Sequence, residues 1–197
     1  MVARQLYNAG YRFFRMPWEI GPRAELRDMV QTGRLRPGRA IDLGCGTGAN
    51  AIYLAEQGFT VTGVDFARAA LVKARRAARL AAVRVDFVEG DLTALPAGVG
   101  TFDLLVDYGT FDDLGDADRT RYVESVSTMA RPGTEFLLWC FEWPSRRRDG
   151  WLGVRPVAPG EIAGRFGSRW EVDRLGGTGP DLRRYIAGTA YYLMRYR

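Results

Sequence analysis

The chain has 197 residues, of which 47% are hydrophobic and 26% charged, and its formal net charge is +5. This size and balance are typical of one soluble globular domain and argue against intrinsic disorder. The sequence contains no histidine. His-ligated metal sites and a Ser-His-Asp triad are therefore excluded, no metal is expected, and a general base has to be Asp, Glu, Tyr, Cys or Lys73.

Cysteine usage and hydropathy indicate a reducing compartment. Cys45 and Cys140 are the two cysteines, and neither belongs to a Cys-x-x-Cys pair, so no disulfide framework is expected. The N-terminus lacks an apolar leader, and no apolar run approaches the ~18–20 residues of a membrane span. We expect a cytoplasmic protein without a membrane partner. Lys73 is the only lysine, so the basic excess consists of arginine, which indicates first a GC-rich coding sequence and second a phosphate-binding surface.

The order of predicted elements alternates strands with helices. Strands are predicted at 39–43, 59–65, 83–88, 102–107 and 134–140, with helices at 49–57, 67–82 and 116–130 between them. Strands 83–88 and 102–107 are nearly continuous apolar runs, which predicts cover on both faces. Two further strands at 170–175 and 185–194 flank a Gly/Pro/Asp loop and predict an antiparallel pair. The expected fold is α/β: a Rossmann-like, doubly wound, mostly parallel seven-stranded sheet with an antiparallel C-terminal edge hairpin, whose ligand lies beyond the carboxyl ends of the strands.

The glycine-rich turn after the first strand carries the strongest signal. Gly44, Gly46 and Gly48 allow a sharp turn and close approach of a ligand, and the helix that follows offers free amides to an anion. The same turn satisfies the dinucleotide pattern G-x-G-x-x-A with Asp65 downstream. A nicotinamide or flavin cofactor is therefore one alternative at this point.

Asp42 favours a different ligand. It ends the first strand two residues before Gly44, where a carboxylate would repel a pyrophosphate but would attract a cationic amine. The methionine end of S-adenosylmethionine (SAM) has both charges: its carboxylate suits the turn amides and its ammonium suits Asp42.

The segment from Asp42 to Gly48 resembles motif I of the class I SAM-dependent methyltransferases, and the resemblance spans most of the chain. It implies SAM as cofactor and a set of cofactor-binding residues at successive strand ends. In this set Asp65 holds the ribose hydroxyls, Phe66 lies against the adenine, Asp91 accepts the adenine amino group and Leu92 covers the other ring face. The set implied for the cofactor is Asp42, Gly44, Cys45, Gly46, Gly48, Asp65, Phe66, Asp91, Leu92, Asp107 and Tyr108.

The acceptor is less well defined. Asp107 opens the loop where nucleic-acid amino-methylating relatives carry a Pro-Pro motif, and the absence of proline here disfavours RNA or DNA. Asp107 and Asp112 are the candidate catalytic residues, since an oxygen nucleophile would need a base. Asp112 and its neighbour Asp113 have an alternative role in a solvated acidic loop.

The N-terminal arm, residues 1–35, is predicted to be a helical lid over a methyltransferase domain at 36–197. Its stretch from Trp18 to Pro22 resembles the thiopurine- and tellurite-resistance-type small-molecule methyltransferases, although proline follows glycine directly. Tyr11, Trp18 and Trp143 are the candidate acceptor-binding residues; the arm's aromatics have packing in the core as their alternative. The arginine run at 146–148 suits an anionic substrate or a solvated loop.

The function expected is methyl transfer to N, O or S of a small aromatic or apolar acceptor by a monomer or homodimer. Methylation of RNA or DNA, and SAM binding without catalysis, are the alternatives.

Overall fold

The computed structural model describes residues 2–95, 98–143, 155–179 and 188–197. These residues form two compact units, Met1–Leu95 and Pro96–Arg197. The seven strands belong to one mostly parallel sheet with an antiparallel pair at the end of the chain, which confirms the predicted fold class. None of the helices in the described ranges has the length and apolar character needed to cross a bilayer.

The first unit is a parallel three-stranded sheet with helices from the arm and from the crossovers. Its elements are α1 (Val2–Phe13), α2 (Ala24–Gln31), β1 (Arg39–Leu43), α3 (Ala49–Glu56), β2 (Thr60–Asp65), α4 (Arg68–Leu80) and β3 (Val85–Glu89). The strand order is β3-β2-β1. The small side chains of Ala70, Ala74 and Ala78 are buried on one face of α4, because a stripe without bulk lets a helix approach its neighbours closely.

The second unit contains the remaining four strands. Its elements are β4 (Leu104–Tyr108), a 3-10 turn (Phe111–Asp113), α5 (Asp116–Thr128), β5 (Glu135–Glu142), α6 (Glu161–Phe166), β6 (Trp170–Thr178) and β7 (Gly188–Tyr196). Strand β4 pairs with β5 in parallel, and β5, β7 and β6 pair antiparallel. Trp170, Phe136 and Phe166 are fully or almost fully buried in this unit's core.

The predicted elements agree with the structure to within a few residues. One expectation is wrong: β3 is not covered on both faces, since only Phe87 of its five residues is buried. This strand is an edge of the order β3-β2-β1, so its apolar run does not imply two packed faces. Helix α6 was not predicted, because six residues are too few for a clear helical period.

Candidate active site

The glycine turn after β1 requires glycine at three places. Gly44, Gly46 and Gly48 have φ angles of +72°, +52° and +85°, a region that side chains with Cβ rarely occupy. A Cβ on Gly46 would lie 3.0 Å from the hydroxyl oxygen of Tyr11, and one on Gly48 would lie 3.0 Å from Cζ of Phe87. Glycine is therefore required in this turn by the backbone conformation and, at Gly46 and Gly48, also by close neighbouring atoms.

Most amides of this turn bond within the protein. Those of Gly44 and Cys45 donate to the Val64 carbonyl oxygen at 2.8 and 2.9 Å, and that of Gly46 donates to Oδ2 of Asp65 at 2.8 Å. Within the described residues, the amides of Thr47, Ala49 and Asn50 have no acceptor. The amides that remain available to an anion are therefore these three, at the start of α3.

Asp42 lies beneath the same helix start. Its side chain is 2% exposed, and Oδ2 accepts the Ala51 amide at 3.1 Å. Burial, and secondarily the nearby Asp65, raise the pKa of Asp42 to about 7, against the opposing effects of the Ala51 amide and Arg23. The described residues place no ion pair on this carboxylate. A buried acid that makes no ion pair is suited to a cationic ligand group.

Asp65 connects the turn to the start of α4. Oδ2 accepts the Gly46 amide, and Oδ1 accepts the Ala67 amide at 2.7 Å. Burial raises its pKa, and the two amides oppose that effect. Each carboxylate oxygen has a second lone pair, so Asp65 retains capacity to accept ligand hydroxyls.

The remaining residues of the first unit's set differ in their surroundings. Phe66 is half-buried, with its ring centroid 5.4 Å from that of Tyr7 in an edge contact. Leu92 is buried. Asp91 is exposed, and Oδ1 accepts the Thr93 amide at 2.9 Å and the Thr93 hydroxyl at 2.7 Å, a local turn. Cys45 is buried, and burial raises the pKa of its thiol well above the ordinary value, which disfavours a nucleophilic role.

The N-terminal arm covers the glycine turn with aromatic side chains. The Trp18 indole N–H donates to the Tyr11 hydroxyl at 2.8 Å, and the centroid of Tyr7 lies 5.7 Å from that of Trp18. Tyr11 is 4% exposed and clusters with Ala67 and Ala70. Tyr7 was not singled out from the sequence; its position four residues before Tyr11 puts both on one helix face and was the available signal.

In the second unit, Asp107 at the end of β4 is fully buried, and both of its carboxylate oxygens accept hydrogen bonds. Oδ1 accepts the Thr110 amide at 2.8 Å, and Oδ2 accepts the Phe111 amide at 3.2 Å and the Tyr122 hydroxyl at 2.5 Å. Through these three hydrogen bonds its oxygens hold the loop after β4 in place. Tyr122 lies on the buried face of α5, and sequence reasoning did not identify it as a partner of this acid.

Asp112, in the 3-10 turn, has a different environment. It is 1% exposed, Oδ2 accepts the Phe141 amide at 2.9 Å, and Oδ1 is buried without a hydrogen-bond partner in the described residues. Burial, and secondarily the nearby Asp113 and Asp107, raise the pKa of Asp112 to about 8, against the opposing effect of the Phe141 amide. Near neutral pH this acid is therefore largely protonated.

Aromatic rings adjoin this carboxyl group. A Cβ on Gly109 would lie 3.8 Å both from Oδ1 of Asp112 and from Cζ3 of Trp139, so the acid and the indole flank one glycine. Trp139 stacks on Tyr108 with centroids 6.2 Å apart and meets Phe141 edge-on at 4.9 Å. The second unit thus contains a cluster of aromatic rings beside a buried acid.

Two other predicted positions have simpler outcomes. Trp143 is buried, and its amide donates to the Val157 carbonyl oxygen at 3.0 Å. The arginine run at 146–148 lies outside the described residues. Arg119, which sequence reasoning missed, is buried and donates to the carbonyl oxygen of Phe111 and to Glu161.

A Rossmann-like sheet with a glycine turn, an acid beneath it and a second acid at the next strand end is typical of a site that binds a nucleotide-containing ligand. The buried Asp42, which makes no ion pair, and the free amides at the start of α3 suit a ligand head with both an ammonium and a carboxylate. These groups therefore fit the methionine end of SAM.

Comparisons with known proteins agree with this class. Residues 40–133 match the family described as "Methyltransferase domain". The chain is 31% identical over 163 residues to a 2-heptyl-1-hydroxyquinolin-4(1H)-one methyltransferase of Mycobacteroides abscessus, covering 82% of this chain and 71% of that protein.

Two solved structures share the fold. One, from work on the conversion of a disulfide bond into a thioacetal group during echinomycin biosynthesis, has a TM-score of 0.79 at 22% identity and covers 98% of this chain and 92% of that chain. The magnesium protoporphyrin IX methyltransferase of Synechocystis PCC 6803 with bound SAM has a TM-score of 0.68 at 18% identity, covering 98% of this chain and 79% of that chain. The chain belongs to the class I SAM-dependent methyltransferases, of the small-molecule type.

Proposed function

We propose that this enzyme transfers the methyl group of SAM to a hydroxyl oxygen on a small, flat, apolar heteroaromatic acceptor. The observation that carries the proposal is the buried Oδ1 of Asp112, which has no partner in the described residues and lies beside the Trp139 ring. A protein without histidine needs another group that titrates near neutral pH, and Asp112 has that property.

The first unit would bind the donor. Asp42 takes the ammonium, the Thr47 and Ala49 amides take the carboxylate, and Asp65 accepts the ribose hydroxyls. Phe66 and Leu92 provide apolar cover for the adenine, with Asp91 at its amino group. When bound, SAM supplies an electrophilic methyl group that a nucleophile takes from sulfur, leaving S-adenosylhomocysteine.

The second unit would bind and activate the acceptor. Tyr108, Trp139 and Phe141 provide aromatic surface for a flat ring. The acceptor hydroxyl bonds to Oδ1 of Asp112; as its oxygen gains carbon, its proton passes to the Asp112 carboxylate. Asp107 acts indirectly, by holding Thr110 and Phe111 and so the position of the Asp112 turn.

The arm is proposed as the lid, with its limit at residue 35. Tyr11 and Trp18 cover the glycine turn and exclude water from the donor. Trp143 is proposed as apolar lining on the acceptor side because it is buried after the end of β5.

A named relative supports the acceptor class. The M. abscessus protein is named for a hydroxyquinolinone with a heptyl chain, a flat heteroaromatic hydroxyl compound. We infer the same chemical class here, without the identity of the molecule.

The test compares labelled methyl transfer to hydroxylated quinolines, aromatic amines and aromatic thiols. We expect turnover of the hydroxyl compounds, with a rate that rises with pH through about 8 as Asp112 ionises. Asp112→Asn should lower kcat by about 10²–10⁴-fold and flatten the pH profile, the usual range for a lost general base. Glu124→Gln, at an exposed residue of α5, is the matched control.

Two results would contradict the assignment. Equal turnover by Asp112→Asn and the parent would remove Asp112 as the base. Transfer confined to thiols or amines, with hydroxyl compounds inert, would replace the acceptor class.

A further inference from the structure

The outer surface of α1 and α4 is apolar and basic at once. Residues 2–18 and 66–85, which include these helices, contain nine basic residues and no Asp or Glu. The two helices contact each other through buried Tyr11, Ala67 and Ala70, and Asn8 accepts the Ala69 amide. They therefore form one continuous surface, which we name the α1/α4 face.

Large apolar side chains lie in the open on the α1/α4 face. Leu6 is 72% exposed, Phe13 70%, Val72 59% and Leu80 81%. Leu6 and Phe13 are seven residues apart with Ala9 between them, one stripe on α1 opposite the docked side that carries Tyr11. Helix α1 thus has two apolar sides, of which one packs against α4 and the other carries the exposed Leu6 and Phe13.

Arginines surround these side chains. A groove of about 590 Å³ is lined by apolar Ala9, Phe13, Ala69 and Val72 and by Arg12 and Arg68. Arg68, Arg76 and Arg79 follow the exposed side of α4 and make no ion pair or side-chain hydrogen bond within the described residues. Lys73 is different, because it pairs with Glu19 at 3.2 Å.

We propose that the α1/α4 face binds the surface of an anionic lipid bilayer, with Leu6, Phe13, Val72 and Leu80 entering the acyl boundary and the arginines meeting the headgroups. Exposed apolar side chains among unpaired arginines are the pattern of an interfacial helix. The observations favour lipid over nucleic acid, because Leu6, Val72 and Leu80 are aliphatic and cannot stack on bases as aromatic rings do. Such binding is peripheral and needs no spanning helix, so it revises the sequence expectation of no membrane partner.

The experiment is flotation with liposomes at low and moderate salt. The full chain should float with vesicles of phosphatidylcholine containing a third phosphatidylglycerol, and should stay in solution with pure phosphatidylcholine. Arg76→Gln/Arg79→Gln should weaken partitioning about 25-fold, since each basic residue near an anionic surface contributes about fivefold. Leu6→Gln/Phe13→Gln should weaken it more than about tenfold through lost apolar burial.

A control variant at positions outside the α1/α4 face accompanies each of the two test variants. Arg36→Gln/Arg169→Gln removes two exposed arginines elsewhere, and Leu175→Gln removes an exposed apolar side chain from β6. Both should float like the parent, and circular dichroism should report folding for every variant. Because flotation requires no methyl transfer, its failure and the failure of the proposed reaction are distinguishable.

Several results would overturn the proposal. One is that the parent does not float with anionic vesicles. Another is that the variants of the α1/α4 face and the control variants lose flotation equally. Binding of single-stranded oligonucleotide that only the patch variants lose, without flotation, would assign the face to nucleic acid. A dimer in sedimentation equilibrium that Leu6→Gln/Phe13→Gln dissolves, without flotation, would assign it to a second copy of this chain.

Discussion

Asp42→Asn tests the donor site most directly. Asn keeps an acceptor oxygen for the Ala51 amide, so the start of α3 retains its hydrogen bond, while the negative charge disappears. The variant should therefore fold and lose the attraction for an ammonium. A charge-assisted hydrogen bond contributes about 1.5–3 kcal/mol, so affinity for S-adenosylhomocysteine should fall by about 10- to 150-fold at pH 7.5.

The pKa adds a second signature. With a pKa of about 7, Asp42 is about three-quarters ionised at pH 7.5 and about one-tenth ionised at pH 6. If the ionised form binds the ligand, affinity of the parent should fall roughly eightfold between these pH values. Asp65 and Arg23 are the charged groups that influence Asp42, and neither is altered in the variant.

Isothermal titration calorimetry with S-adenosylhomocysteine at pH 6, 6.5, 7 and 7.5 measures both effects. Asp86→Asn, at an exposed acid on β3, is the control and should behave like the parent. The reasoning is refuted if Asp42→Asn binds with parental affinity, or if the parent's affinity is the same at pH 6 and pH 7.5.

Three further predictions concern stability, measured by urea unfolding. Gly46→Ala should lose about 1–2 kcal/mol through its positive φ, with an added contact to the Tyr11 hydroxyl, whereas Gly21→Ala, with open space around it, should change little. Tyr122→Phe removes a donor from a buried carboxylate and should lose about 1–3 kcal/mol; no loss would mean that this hydrogen bond contributes nothing net. Burial raises the pKa of Asp112 from 3.8 to about 8. The contribution of Asp112 to the free energy of unfolding is therefore complete below about pH 4 and declines by about 1.4 kcal/mol per pH unit towards pH 8. Asp112→Asn should reduce this decline, and an unchanged dependence of the unfolding free energy on pH would contradict the reasoning.

The local features of the site could be predicted from the sequence. Three glycines within five residues directly after a strand require positive φ angles, and Gly44, Gly46 and Gly48 have them. Asp65 is likewise predictable in position, because it ends the second strand of an alternating pattern. These features depend on residues close together in the chain.

Contacts over longer separations could not be predicted. Tyr11 lies 35 residues before Gly46, and nothing in its helical spacing indicates that its hydroxyl approaches that glycine. The exposure of β3 depends on strand order and not on its own composition. Which oxygen of Asp112 lacks a partner depends on Phe141, 29 residues away on β5.

The absence of histidine acquires its meaning only with the structure. Histidine titrates near pH 6.5 without perturbation, and the sequence leaves carboxyl groups as the main substitutes. Burial brings two carboxyl groups into the pH range that histidine would otherwise cover. The pKa of Asp42 is about 7 and that of Asp112 about 8, in each case chiefly because the charged form is desolvated. Asp107 is equally buried, but its two oxygens already accept three hydrogen bonds within the loop after β4. The number of hydrogen-bond donors on a buried acid, rather than its burial alone, therefore separates the acids that hold the loop from those available to a ligand or a proton.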